Sequence, residues 1–163
     1  MIYFREVQRF RQPWYWAIQI PALAALAYIL FRQLVLRKPV GDHQESNTSL
    51  AIIAATIALF VVWFIKLELI TEVRDDELTI RFRGLFVRRV IPLAEIMHFE
   101  ARTYRPIREY GGWGVRWGAG GMAYNVSGNR GVDLRLTDGK SLMIGSQRPE
   151  EFALALHTRT GAK

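Results

Sequence analysis

The side chains that most often carry chemistry are few and scattered. His43, His98 and His157 fall in three different segments, and none has the four-residue spacing that places two imidazoles around one metal. The chain has no cysteine, which excludes disulfides, thiol nucleophiles and cysteine-ligated zinc together. His98 and Glu100 are two apart and can share a strand face, but such a pair is more often solvent-facing than part of a centre. Carboxylates are plentiful, yet none accompanies an evident nucleophile. This inventory argues against an enzyme and gives no reason to expect a cofactor or metal. The glycine-rich stretch GGWGVRWGAGG, residues 111–121, invites a nucleotide reading and does not fit one. A dinucleotide loop would need glycine after Gly112 and Gly114 at position 117, where Trp117 stands, and no phosphate-binding lysine follows. Trp113 and Trp117 suit core or turn packing, or a loop that contacts a partner. They are the candidate partner-binding residues.

The elements that must carry these residues fall into two textures. Half the residues are hydrophobic and the formal net charge is +7. The apolar excess sits before Lys66. Trp14–Phe31 and Leu50–Ile65 contain no charged residue. At ~1.5 Å per residue the first reaches roughly 27 Å, close to a bilayer's hydrocarbon thickness. Trp14, Tyr15, Trp16, Trp63 and Phe64 mark the ends, and Arg11, Arg32 and Lys66 flank them, as expected for spanning helices. The expectation is therefore a membrane anchor over residues 1–66, with transmembrane helices near 14–31 and 50–65. A cleaved leader and a buried helical pair are the alternatives. Arg5, Arg9 and Arg11 before the first span, against Arg32, Arg37 and Lys38 between the two, slightly favour cytoplasmic termini. The localisation that follows is a multi-pass protein of the inner (plasma) membrane with the lipid bilayer as its first partner. The basic residues are scattered rather than striped, so no nucleic-acid partner is expected.

From Leu67 the pattern changes to alternation. In ELTIRFRG, Leu78, Ile80 and Phe82 point one way while Thr79, Arg81 and Arg83 point the other. Asp75 and Asp76 make a turn between this strand and LELITEV. FVRRVI, MHFEARTY, MAYNV and GVDLRL read as further strands, and Trp113, Val115 and Trp117 alternate in a short one. Asp138-Gly139 is a hairpin turn into SLMIG. SQRPEEFALALHTRTG closes as a helix, with Pro149 in its first turn and Phe152, Ala155 and Leu156 on one face. Residues 67–163 are thus expected to form about seven antiparallel strands, as a barrel or sandwich, capped by a C-terminal α-helix.

A two-span hairpin followed by RFRG, IPLAEI, a Gly-Gly-Trp-Gly segment and GVDLRLTDGKSLMIGSQRPEEFALAL resembles the bacterial pleckstrin-homology-like membrane proteins. The resemblance covers about residues 67–157 and implies a membrane α + β protein with a pleckstrin-homology-type barrel. It implies no catalytic residue. Phosphoinositide-binding members carry a basic-x-basic pair on their second strand, and Arg81 and Arg83 match its spacing; guanidinium groups two apart on one strand face can both reach a phosphate. Arg81, Arg83, Arg88 and Arg89 are therefore the candidate lipid-facing residues. Against this stands the short acidic turn Asp75-Asp76-Glu77, which repels an anionic headgroup. The functional expectation is a non-enzymatic, membrane-anchored interaction or scaffold module that binds a membrane or cytoplasmic protein partner. The alternative is a headgroup-sensing domain.

Overall fold

The structure is a computed structural model that describes residues 1–10, 13–36, 47–118 and 120–161. Arg11, the connection residues Arg37, Lys38, Pro39, Gly41, Asp42 and His43, and the side chains of Trp14 and Tyr15 lie outside the described residues. The chain divides into two compact units. One combines Met1–Phe10 with Lys66–Lys163, and the other is Arg11–Ile65.

The β-rich unit holds nine strands in two sheets among the described residues. The first sheet has the order β1-β2-β3-β4, from Ile2–Arg9, Glu68–Arg74, Glu77–Arg83 and Val87–Pro92, all antiparallel. The second has the order β5-β8-β9-β7-β6, from Ile96–Thr103 (β5), Gly114–Gly118 (β6), Gly121–Asn125 (β7), Arg130–Leu136 (β8) and Ser141–Gly145 (β9). Period-two alternation sends one set of side chains inward on each sheet. Leu69, Val73, Leu78, Ile80 and Phe82 come from the first sheet, and Val132, Leu134, Leu142 and Ile144 from the second; all are buried. A C-terminal helix, Pro149–Thr160, adds Phe152, Ala155 and Leu156. It starts on Pro149, whose missing N–H costs nothing in the first turn, and stops at Gly161, whose left-handed φ of 62° closes the last turn.

The first strand was not expected. Residues 2–9, whose arginines suggested a leader flanking a span, pair with β2 along its length. Phe4, Glu6 and Gln8 face inward. Phe4 stacks on Phe152 with ring centroids 5.0 Å apart. The Glu6 carboxylate accepts hydrogen bonds from Ser146 Oγ (2.6 Å) and the Gln147 amide (2.8 Å), and Gln8 Nε2 donates to the Gly145 carbonyl (2.7 Å). The second sheet also departs from the all-antiparallel expectation of about seven strands, because β7 runs parallel to β9.

The other unit contains helices Pro13–Leu30 and Asn47–Ile65, with a short π-helical turn at Phe31–Val35. Ile18, Ile20, Ile52, Leu59 and Val62 are exposed on them. The expected transmembrane hairpin is corrected here: among the described residues, no helix is long and apolar enough to cross a membrane. The multi-pass inner-membrane localisation and the cytoplasmic placement of the termini rested on those spans and are withdrawn with them.

Candidate functional site

The four candidate arginines do not make one patch. Cross-strand register puts Arg81 opposite both Ile70 and Arg88, and Arg83 opposite Glu68, so these three arginines share the outer face of the first sheet. Arg89 is opposite Ile80 and belongs to the inner face, at its rim. Arg81 and Arg83 are already engaged. Glu72 lies within ion-pair distance of Arg74 (2.7 Å), Arg81 (3.4 Å) and Arg5 (3.3 Å). Glu68 receives Arg9 Nε at 2.7 Å and Arg83 Nη1 at 3.3 Å. Burial pushes the Glu72 carboxyl up, but its three arginines outweigh that and hold it below its ordinary value. Glu68 is held low chiefly by the hydrogen bond from Arg9. A phosphate approaching Arg81 or Arg83 would have to compete with these carboxylates. Arg88 is exposed and forms no ion pair among the described residues.

The two candidate tryptophans also separate. Trp113 is half-buried, and its indole N–H donates to the Gly128 carbonyl at 2.9 Å. Trp117, on β6, is 75% exposed. What holds its strand is a buried polar relay. Asn125 Oδ1 accepts the Gly114 amide at 2.9 Å, and Asn125 Nδ2 donates to the Tyr104 hydroxyl at 3.0 Å. Burial pushes that hydroxyl up to about 12, so it stays protonated at any physiological pH. Beneath it, Arg102 bridges Glu109 (3.0 Å) and Asp133 (2.9 Å) and ties the short helix Pro106–Tyr110 to β8. β6 is an edge strand by order, but Gly118 packs so closely on the Glu109 carbonyl that a side chain there would overlap it. The short helix Pro106–Tyr110 thus packs directly against this end of β6.

Two cavities flank the β6–β7 hairpin and share Gly120. One, of about 320 Å³, is lined by Trp117, Met122, Gly121, Ser141 and two cations, Arg89 and Lys140. The other, of about 390 Å³, is lined by Arg105, Arg108, Glu109 and Gly120. Arg89 Nη1 touches Met122 Sδ at 3.7 Å, and no carboxylate pairs with Arg89, Arg105 or Arg108 among the described residues. Lys140 pairs with Asp138 at 2.6 Å, and that hydrogen bond holds the Asp138 carboxyl below its ordinary value. Gly121 has φ 99°, and a Cβ there would overlap the Ser141 carbonyl oxygen, so this close approach of β7 to β9 requires glycine. Among the described residues no three of His, Asp and Glu gather as a metal site.

Sequence reasoning passed over Phe86. It sits in the β3–β4 turn at φ 55° and is 98% exposed. An aromatic residue in left-handed backbone, gaining no burial in return, could have been noticed as an apolar residue directly after Gly84-Leu85 at a turn. No family model matches the chain, and no curated protein is significantly similar to it. Nothing in these comparisons bears on the resemblance to pleckstrin-homology-like proteins.

Proposed function

We propose that the β-rich unit is a non-enzymatic interaction module that binds a protein partner through the β6–β7 hairpin, with Trp117 as its anchor. The observation that carries this reading is a large amphipathic ring left 75% exposed on a strand whose backbone is fastened by Asn125 and Tyr104. A tryptophan held on rigid backbone loses little conformational entropy when it is buried by a partner, and residues of this kind dominate interface energetics. Trp113 supports the hairpin from below through Gly128 rather than offering itself. The headgroup alternative has less in its favour, since Arg81 and Arg83 spend their charge on Glu72 and Glu68.

The test is quantitative affinity purification of the full chain after crosslinking in its native cells, comparing the parent with Trp117→Ala. Loss of a reproducible partner with Trp117→Ala, in protein that unfolds at an unchanged temperature, supports the reading. An unchanged partner set sinks it.

A further inference from the structure

Resting on that reading, we infer that the partner segment is acidic: it crosses the β6–β7 hairpin with an apolar residue against Trp117, one carboxylate between Arg89 and Lys140, and a second between Arg105 and Arg108. The juxtaposition that carries this is a cavity lined by the exposed Trp117 with Arg89 and Lys140, which meets at Gly120 a second cavity lined by Arg105 and Arg108. The cavities, about 320 and 390 Å³, stand at the low end of the range of about 300 to 1,000 Å³ for ligand sites, which leaves room for one or two peptide side chains in each. Each is lined by two cations. Arg89 comes from β4 and Lys140 from the turn before β9, so the first pair reaches across from one sheet to the other. Arg105 and Arg108 come from the entry and first turn of the short helix.

The countercharges present do not cancel this field. Glu109 lines the second cavity, but both its oxygens already accept, one from Arg102 and one from the Arg105 backbone amide. Asp138 does hold Lys140, but both side chains are about half exposed or more, and an exposed pair of this kind is worth little. An incoming carboxylate can share or take that ammonium. Ser141 and three glycines, Gly120, Gly121 and Gly139, complete the lining of the first cavity without adding an acid. With a chain charge of +7, long-range attraction also favours an acidic partner and quickens its approach. An acidic peptide fits better than a lipid surface. A peptide can place single carboxylates in two separate cavities, whereas a bilayer presents a plane.

Asp138 supplies a test that misfolding cannot imitate. Asp138→Asn keeps an acceptor for the Lys140 amide but releases the ammonium, so it should tighten binding. The probe is a synthetic peptide of alternating glutamate and leucine, titrated calorimetrically into the full chain, with its lysine counterpart as control. Saturable binding of the acidic peptide alone is expected below about 1 mM, the range of weak recognition. Arg89→Gln with Lys140→Gln should weaken it about tenfold, as should Arg105→Gln with Arg108→Gln, and added salt should weaken it further. Asp138→Asn should strengthen it. No acidic binding, equal binding of the lysine peptide, or indifference to all three sets of substitutions overturns the inference. So does binding of phosphatidylglycerol vesicles in place of the peptide. If the glutamine variants keep the crosslinked partner that Trp117→Ala loses, the acidic chemistry fails while the hairpin interface stands. If Trp117→Ala loses nothing, the interface itself fails.

Discussion

Glu72 gathers three arginines from three positions on the outer face, and its carboxylate is nearly buried beneath them. Glu72→Gln removes the charge and leaves Arg5, Arg74 and Arg81 without their common acceptor. We expect it to destabilise the β-rich unit by about 1–3 kcal/mol in chemical denaturation. The pH dependence has a definite sign. Glu68 and Glu72 are both held below their ordinary value of 4.5. A carboxyl depressed in the folded state contributes stability that is complete above its unfolded value and is lost as pH falls through the folded one. Stability should therefore be level above about pH 6 and decline below 4.5, and Glu72→Gln should flatten that decline. Phe86 behaves oppositely. Its left-handed backbone has no packing to offset it, so Phe86→Gly should leave the midpoint unchanged or raise stability by about 0.5–1 kcal/mol. Gly121→Ala should cost about 2–4 kcal/mol, since the added methyl meets the Ser141 carbonyl at a φ that only glycine adopts freely.

At the scale of elements, alternation located most strands well. Leu78, Ile80 and Phe82 face the core from β3, and Phe152, Ala155 and Leu156 from the last helix, as their spacing requires. β1 escaped because two of its three inward residues, Glu6 and Gln8, are polar. Hydrophobic periodicity is blind to a strand whose buried positions are filled by hydrogen-bonding groups. Those groups become readable only once Ser146, Gln147 and Gly145 are brought beside them. Parallel pairing of β7 with β9 was equally invisible, because short runs such as MAYNV carry no signal of direction. The importance of β1 is testable. Phe4→Ala removes the ring stacked on Phe152 and should cost about 3–4 kcal/mol. Hydrogen exchange should then quicken in β2 and at Gly145–Gln147 more than in β6. Uniform exchange across the unit would mean that β1 is only loosely tied.

At the scale of the molecule, the apolar runs near 14–31 and 50–65 do fold as helices, at Pro13–Leu30 and Asn47–Ile65. Helix formation follows from composition and from the lack of breakers other than Pro21. Spanning needs more than a helical apolar run, and among the described residues no helix is both long and apolar enough to cross a membrane. The chain divides into its two compact units at Lys66, and the first ten residues join the later part of the chain. Such a return is a long-range contact that no local pattern announces. The candidate site was legible in part. Trp117 stood out by type and spacing, while the cations that share its cavity come from positions 89 and 140, far apart in the sequence. Only the meeting of β4, β6, β7 and the turn before β9 brings them together. The central claim is that this hairpin is where a partner binds. A photo-crosslinking residue at position 117 of the full chain, with one at exposed Leu154 on the last helix as control, tests it most directly. We predict a discrete crosslinked protein from 117 that is absent from 154. No crosslink from 117, or the same products from both positions, would contradict the account.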